Sequence, residues 1–175
     1  MTEPPVYEVF FTGRDDARDG CIVIGEDTKP IFYRFETPPS YVGNTRTTVY
    51  RNAGEVVACM DWPPVGYQLG VLTIANRQSP MTRFVMHGST VNSRVFLAAD
   101  GRQFEWRRCP DDPNSYDATN HRIATYRRRH QDTPIGPSYA YMSYLFDNEH
   151  FLLESLIALC LNKWLDHPMQ SAQGQ

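Results

Sequence analysis

The sequence predicts a mainly β domain, an antiparallel β-barrel of about twelve strands around a buried hydrophobic C-terminal α-helix. Three observations predict it. Short segments rich in Val, Ile, Thr and aromatic residues recur along most of the chain, each bounded by turn residues. No stretch between neighbouring segments is long enough for a crossover helix, so the strands run as an antiparallel meander. The last regular stretch, Phe151–Leu165, is apolar in nearly every direction of the helical wheel. A helix apolar all round is buried all round, and a closed or nearly closed sheet wrapped about it meets that demand.

Taken in order, the expected strands are Val6–Phe11, Cys21–Gly25, Pro30–Glu36, Thr45–Arg51, Glu55–Trp62 and Leu69–Ala75. There follow Met81–His87, Arg94–Ala99, Arg102–Arg108, a short strand near Tyr116, Arg122–Arg128 and Tyr139–Phe146. Alternation is cleanest in the fifth, where Val56, Ala58, Met60 and Trp62 oppose Glu55, Val57, Cys59 and Asp61. In the ninth, Phe104 and Trp106 face away from Gln103, Glu105 and Arg107. Asn52-Ala-Gly54 and Asp100-Gly101 are hairpin signals, the second as a two-residue turn. Loops are expected at Thr12–Gly20, Thr37–Asn44, Pro63–Gln68, Pro110–Asn120 and His130–Pro137, which hold most of the Pro, Gly and Asp. Asp147 or Asn148 caps the helix, Glu149 sits in its first turn, and Pro168 follows its end. The 175 residues suit one domain, with a core over about 5–166 and a flexible tail at 167–175.

Composition narrows the function classes. Hydrophobic residues make up 41% and charged residues 21%, a globular balance. The net charge of −3 argues against a nucleic-acid binder. Met1-Thr-Glu-Pro-Pro offers an acid and two prolines where a signal peptide needs a basic start and an apolar run. No transmembrane segment is signalled, because Glu154 and Ser155 break the only long apolar stretch. A cytoplasmic protein is expected. Its four cysteines, Cys21, Cys59, Cys109 and Cys160, are then free thiols, and with no CxxC or CxxH pair they signal no metal site. Gly-rich phosphate loops, Gly-X-Ser-X-Gly and HExxH are all absent, so no cofactor is indicated.

The stretches Gly54-Glu-Val-Val-Ala-Cys-Met-Asp-Trp62, Val95-Phe-Leu-Ala-Ala-Asp-Gly-Arg-Gln-Phe-Glu-Trp-Arg107, Ile123-Ala-Thr-Tyr-Arg127 and Phe151-Leu-Leu-Glu-Ser-Leu-Ile-Ala-Leu carry a resemblance. With the strand-rich chain and closing helix, they resemble the tubby C-terminal-like fold, shared by tubby proteins, phospholipid scramblases and plant LURP-one-related proteins. Within it the chain is most similar to an uncharacterised domain family of mushroom-forming fungi. The resemblance implies a barrel over roughly residues 5–166. For function it implies an intracellular module that binds a phosphoinositide or another anionic ligand through surface basic residues, or a protein partner.

The basic side chains are lopsided, 15 Arg against two Lys, and guanidinium suits paired contacts to phosphate and carboxylate. The candidate anion or lipid site is Arg107, Arg108, Arg127, Arg128 and Arg129, two runs that end the ninth and eleventh expected strands. If both ends share a rim, several guanidiniums converge on one phosphate, although alternation sends adjacent arginines to opposite faces. The competing reading pairs them with Asp111, Asp112, Asp117 or Asp132. An enzyme or small-molecule binder with a rim site is the alternative, its candidate catalytic residues being His121 and Cys109.

Overall fold

The computed structural model describes residues 2–16, 18–39, 45–63, 69–118 and 123–167. Thirteen strands form one antiparallel sheet. They are β1 (Tyr7–Gly13), β2 (Cys21–Glu26), β3 (Lys29–Glu36), β4 (Thr45–Arg51), β5 (Glu55–Trp62), β6 (Val71–Ile74) and β7 (Arg77–Pro80), then β8 (Met86–His87), β9 (Ser93–Leu97), β10 (Gln103–Arg108), β11 (Tyr116–Ala118), β12 (Ala124–Thr133) and β13 (Gly136–Tyr144). The spatial order is β7-β6-β5-β4-β3-β2-β1-β13-β12-β11-β10-β9-β8. Two meanders, β1–β7 and β8–β13, are thus zipped together where the first strand pairs with the last, Val9 opposite Met142 and Phe10 opposite Tyr141.

The helix α1 (Glu149–Asp166) lies where its apolar surface demands. Asn148 is its cap, the side-chain Oδ1 accepting from Phe151 N–H at 3.0 Å. Leu156, Ile157, Ala158 and Leu159 are fully buried. Strands of both meanders reach it. Trp62 of β5 packs on Trp164 with ring centroids 5.1 Å apart, and Trp106 of β10 donates through Nε1 to Ser155 O at 3.1 Å. Tyr33 of β3 reaches Glu149 at 3.4 Å, while Tyr116 of β11 donates to Asp166 at 2.8 Å. The sheet therefore curls about the helix. The buried polar groups of α1 are satisfied as burial requires, Asn162 bridging Ala158 O and Arg94 at 2.8 and 3.0 Å.

Three sequence expectations need correction. The barrel is not closed: β7 and β8 are the two ends of the ladder and do not pair. The segment expected as a strand at Met81–His87 begins as a 3-10 turn, Met81–Phe84, which carries the chain across that seam. Its apolar residues stand three apart, so Met81 and Phe84 turn inward together while Thr82 and Arg83 face solvent. The expected loop at His130–Pro137 is instead the tip of the β12–β13 hairpin. There Gly136 takes φ +126°, and Thr133 Oγ1 donates to Gly136 O at 2.6 Å. A smaller departure is at Asp100-Gly101, where the loop is wider than two residues: Ala98 N–H donates to Arg102 O and Gly101 takes φ +89°. Among the described residues, no helix is long and apolar enough to cross a membrane.

Candidate functional site

Alternation divides the five arginines between two environments. On β10, Trp106 and Arg108 face the helix and Arg107 faces out. Asp117 of β11 stands opposite Arg107 in register, and Arg127 of β12 reaches the same carboxylate at 2.7 Å. Arg129 lies flat over Tyr141 at 4.0 Å, on the face that Arg127 shares with Tyr141 by register. Arg107, Arg127 and Arg129 thus share the outer face, with Asp117 paired to Arg127 and Asp112 acting on Arg127 through space. Arg107 is exposed and has no ion pair among the described residues.

The other two are held in structural networks. Arg108 donates to Asn92 Oδ1 at 3.2 Å and lies 3.9 Å from the half-buried Asp166. Arg128 pairs with Asp15, which also accepts from Lys163 at 2.9 Å. Burial pushes the Asp15 carboxyl up, and Lys163 and Arg128 beside it more than reverse that, so it lies below the usual range. The acidic partners are therefore Asp15, Asp117 and Asp166, of which the sequence pattern offered only Asp117.

The candidates of the enzymatic reading are not brought together within the described residues. His121 lies outside them. Cys109 Sγ donates to Asp117 Oδ2 at 3.4 Å, and burial and that carboxylate raise its pKa, the direction that disfavours a thiolate. All four cysteines are free thiols. Burial pushes Cys21 up to about 11 and raises Cys160 further still. Thiol titration of the native protein is expected to label Cys59 and Cys109 first and to reach four thiols only after denaturation; immediate reaction of all four would contradict the buried placement of Cys21 and Cys160.

A second site has no counterpart in the sequence reading. Where β7 and β8 fail to pair, a cavity of about 510 Å³ opens from the seam down to α1. Phe84 and Ala98 form part of its apolar wall, Met86 and Leu97 its lip, and Arg77 and Arg83 line it as well. Phe84 is fixed there by stacking on Phe96, centroids 5.6 Å apart. On the helix side stand His150 and Glu154, one turn apart, with Nε2 and Oε1 separated by 3.4 Å. Glu154 is 4% exposed and accepts from Ala99 N–H at 3.1 Å. Burial raises its pKa, against the opposing pull of His150 and the Ala99 N–H. Glu154 was legible only as an interruption of an apolar helix. A lone acid on a buried stripe with histidine four residues before it is the signal that marks this place.

Among the described residues, no group of three or more His, Cys, Asp and Glu side chains is arranged to hold a metal ion. The model of a family of unknown function, DUF6593, matches residues 15–157. No curated protein and no solved structure gives a match.

Proposed function

The chain belongs to the DUF6593 family, and from that premise we propose that it is an intracellular binding module of tubby-like architecture that engages an anionic surface, a phosphoinositide-bearing membrane first, through the outer face of β10 and β12. The observation that carries this reading is the sharing of one outer face by Arg107, Arg127 and Arg129, where Asp117 pairs with Arg127 and Asp112 acts on it through space. That leaves a local excess of positive charge on a chain whose net charge is −3. Curling of the sheet around α1 supports the tubby-like part, with the unpaired β7 and β8 as the departure from a closed barrel. A protein partner is the second reading, favoured by those same two edges, since an unpaired strand is a template for another chain. The enzymatic reading through Cys109 has less support, because burial and then Asp117 disfavour its thiolate.

The test uses the two arginines without carboxylate partners. Arg107→Gln with Arg129→Gln is expected to leave the thermal midpoint unchanged, since neither forms an ion pair among the described residues. Basic residues at a membrane surface are worth about 1 kcal/mol each, so the double change is expected to weaken sedimentation with phosphoinositide liposomes by roughly tenfold to thirtyfold. Binding is expected to fall as salt rises. A wild-type protein that ignores anionic liposomes at low salt would sink the membrane reading and leave the protein partner.

A further inference from the structure

Most arginines of this chain already have carboxylate partners. Arg14, Arg34, Arg46, Arg51, Arg94 and Arg102 form ion pairs, as do Arg108, Arg127 and Arg128. Arg18 lies over the Trp62 ring and Arg129 over Tyr141. Among the described residues, the side chains of Arg77, Arg83 and Arg107 remain without an ion pair, hydrogen bond or ring contact. Two of those three line the same cavity, the seam between β7 and β8.

The charge on the helix side of that cavity does not answer them. Glu154 already accepts from Ala99 N–H and faces His150, and Arg77 acts on it only through space. The apolar lip is likewise uncovered: Met86 is 42% exposed and Leu97 62%, both beside an opening whose deeper wall includes Phe84. A cavity of about 510 Å³ falls in the size range of small-molecule sites, which are mainly apolar with a few polar groups that orient the ligand. Unpaired guanidiniums next to an open apolar wall complement a molecule with an anionic head and an apolar body.

We propose that the seam cavity is a binding site for an amphipathic carboxylate of the fatty-acid type, its head held by Arg77 and Arg83 and its apolar body lying against Phe84, Met86 and Leu97. The site is independent of the outer arginine face, which lies on β10 and β12. Guanidinium can contact both oxygens of a carboxylate, which gives the head a defined orientation. The body covers surface that the sheet leaves open, and burial of that surface supplies the sequence-tolerant part of the affinity. Glu154 sits on the helix side of the cavity, where its carboxyl group, faced by His150, disfavours a second anionic group and so favours a single-headed ligand.

Calorimetric titration with dodecanoate below its micelle concentration tests this, with dodecanol and dodecylamine as matched probes. Saturable one-to-one binding of dodecanoate is expected, at least tenfold tighter than either probe. Arg77→Gln with Arg83→Gln is expected to remove that preference and leave the melting curve unchanged, because both side chains are exposed. Ser79→Trp, at another lining position, is expected to abolish binding of every probe by filling the cavity. Arg107→Gln with Arg129→Gln is expected to change nothing here, which separates this proposal from the membrane reading. Absence of saturable binding, equal or tighter binding of dodecylamine, or an unchanged dodecanoate affinity in the Arg77/Arg83 double variant would each overturn it.

Discussion

Replacing Leu156 by aspartate is expected to abolish cooperative unfolding, and Leu156→Ala is expected to lower stability by about 2–5 kcal/mol. Leu156 has no solvent exposure, and neither do Ile157, Ala158 and Leu159 beside it. Alanine leaves a void that the surrounding strands cannot fully close. Aspartate adds an unpaired charge to this apolar core, which costs several kcal/mol more in a low-dielectric interior. A domain with a total stability of roughly 5–15 kcal/mol does not absorb that sum. The matched control is Val91→Asp: Val91 is 98% exposed, so a change within about 0.5 kcal/mol is expected there. Urea unfolding followed by near-ultraviolet circular dichroism reads both. Deleting residues from Asn148 onward should have the same outcome as Leu156→Asp. A truncated chain that stays monomeric and melts near the full-length midpoint would refute the role given to α1.

The topology explains why one helix matters so much. Among the described residues, backbone hydrogen bonds join the two meanders along the β1–β13 ladder alone, since the far ends β7 and β8 do not pair. The packing that holds β5 near β10 passes through α1, by way of Trp62 on Trp164 and Trp106 on Ser155, with the 3-10 turn and its Phe84 on Phe96 as the link across the seam. Without the helix the sheet is a long open ribbon with its aromatic face in water. Phe96, Phe104 and Phe151 show the coupling directly, their rings in contact across β9, β10 and α1.

That arrangement was legible in part. The period-two alternation of Glu55–Trp62 and Arg102–Arg108 was enough to place β5 and β10, because each has one face against the core. The missing polar stripe of Phe151–Leu165 was enough to bury α1. β7 has no signature in the sequence, because Arg77-Gln78-Ser79-Pro80 shows no alternation of apolar and polar side chains. Edge strands are built from such residues, which discourage pairing with other chains. Its turn is equally quiet, with Ala75 rather than glycine taking φ +53°. Whether two strand ends meet depends on the curvature accumulated over all thirteen strands, and local pattern says nothing about that sum. The candidate sites follow the same division. Alternation correctly separates Arg107 from Arg108, whereas Asp15 and Asp166 lie far from their arginines in sequence and become partners only through the curl of the sheet. The seam lining comes from β6, β7, the 3-10 turn, β8, β9 and α1, so no spacing rule could assemble it.

Replacing Asp166 by alanine is expected to be the second most damaging single change, at about 3 kcal/mol. Its side chain is 9% exposed and gathers two arginines and a tyrosine at the C-terminal end of α1. Arg94 reaches it at 2.9 Å, Tyr116 Oη at 2.8 Å, and Arg108 at 3.9 Å. Removing one partner of a buried ion pair typically costs 3–5 kcal/mol, because the charge left behind has lost its compensation. The lower end applies here, since the Arg94 and Arg108 side chains are 27% and 33% exposed and water answers part of their charge. Tyr116 is 1% exposed and is left as a buried hydroxyl without this acceptor, which contributes about 1–3 kcal/mol within that total. Asp166→Asn keeps an acceptor and is expected to cost about half as much. Arg108→Gln, at the longest of the three distances, is expected to cost no more than about 0.5 kcal/mol. A double-mutant cycle of Asp166→Ala with Tyr116→Phe, read by urea midpoints, is expected to give a coupling of about 1 kcal/mol or more. If Asp166→Ala costs less than about 1 kcal/mol, the carboxylate does not anchor the helix end. Arg108 would then be free for the anion site from which this network withholds it.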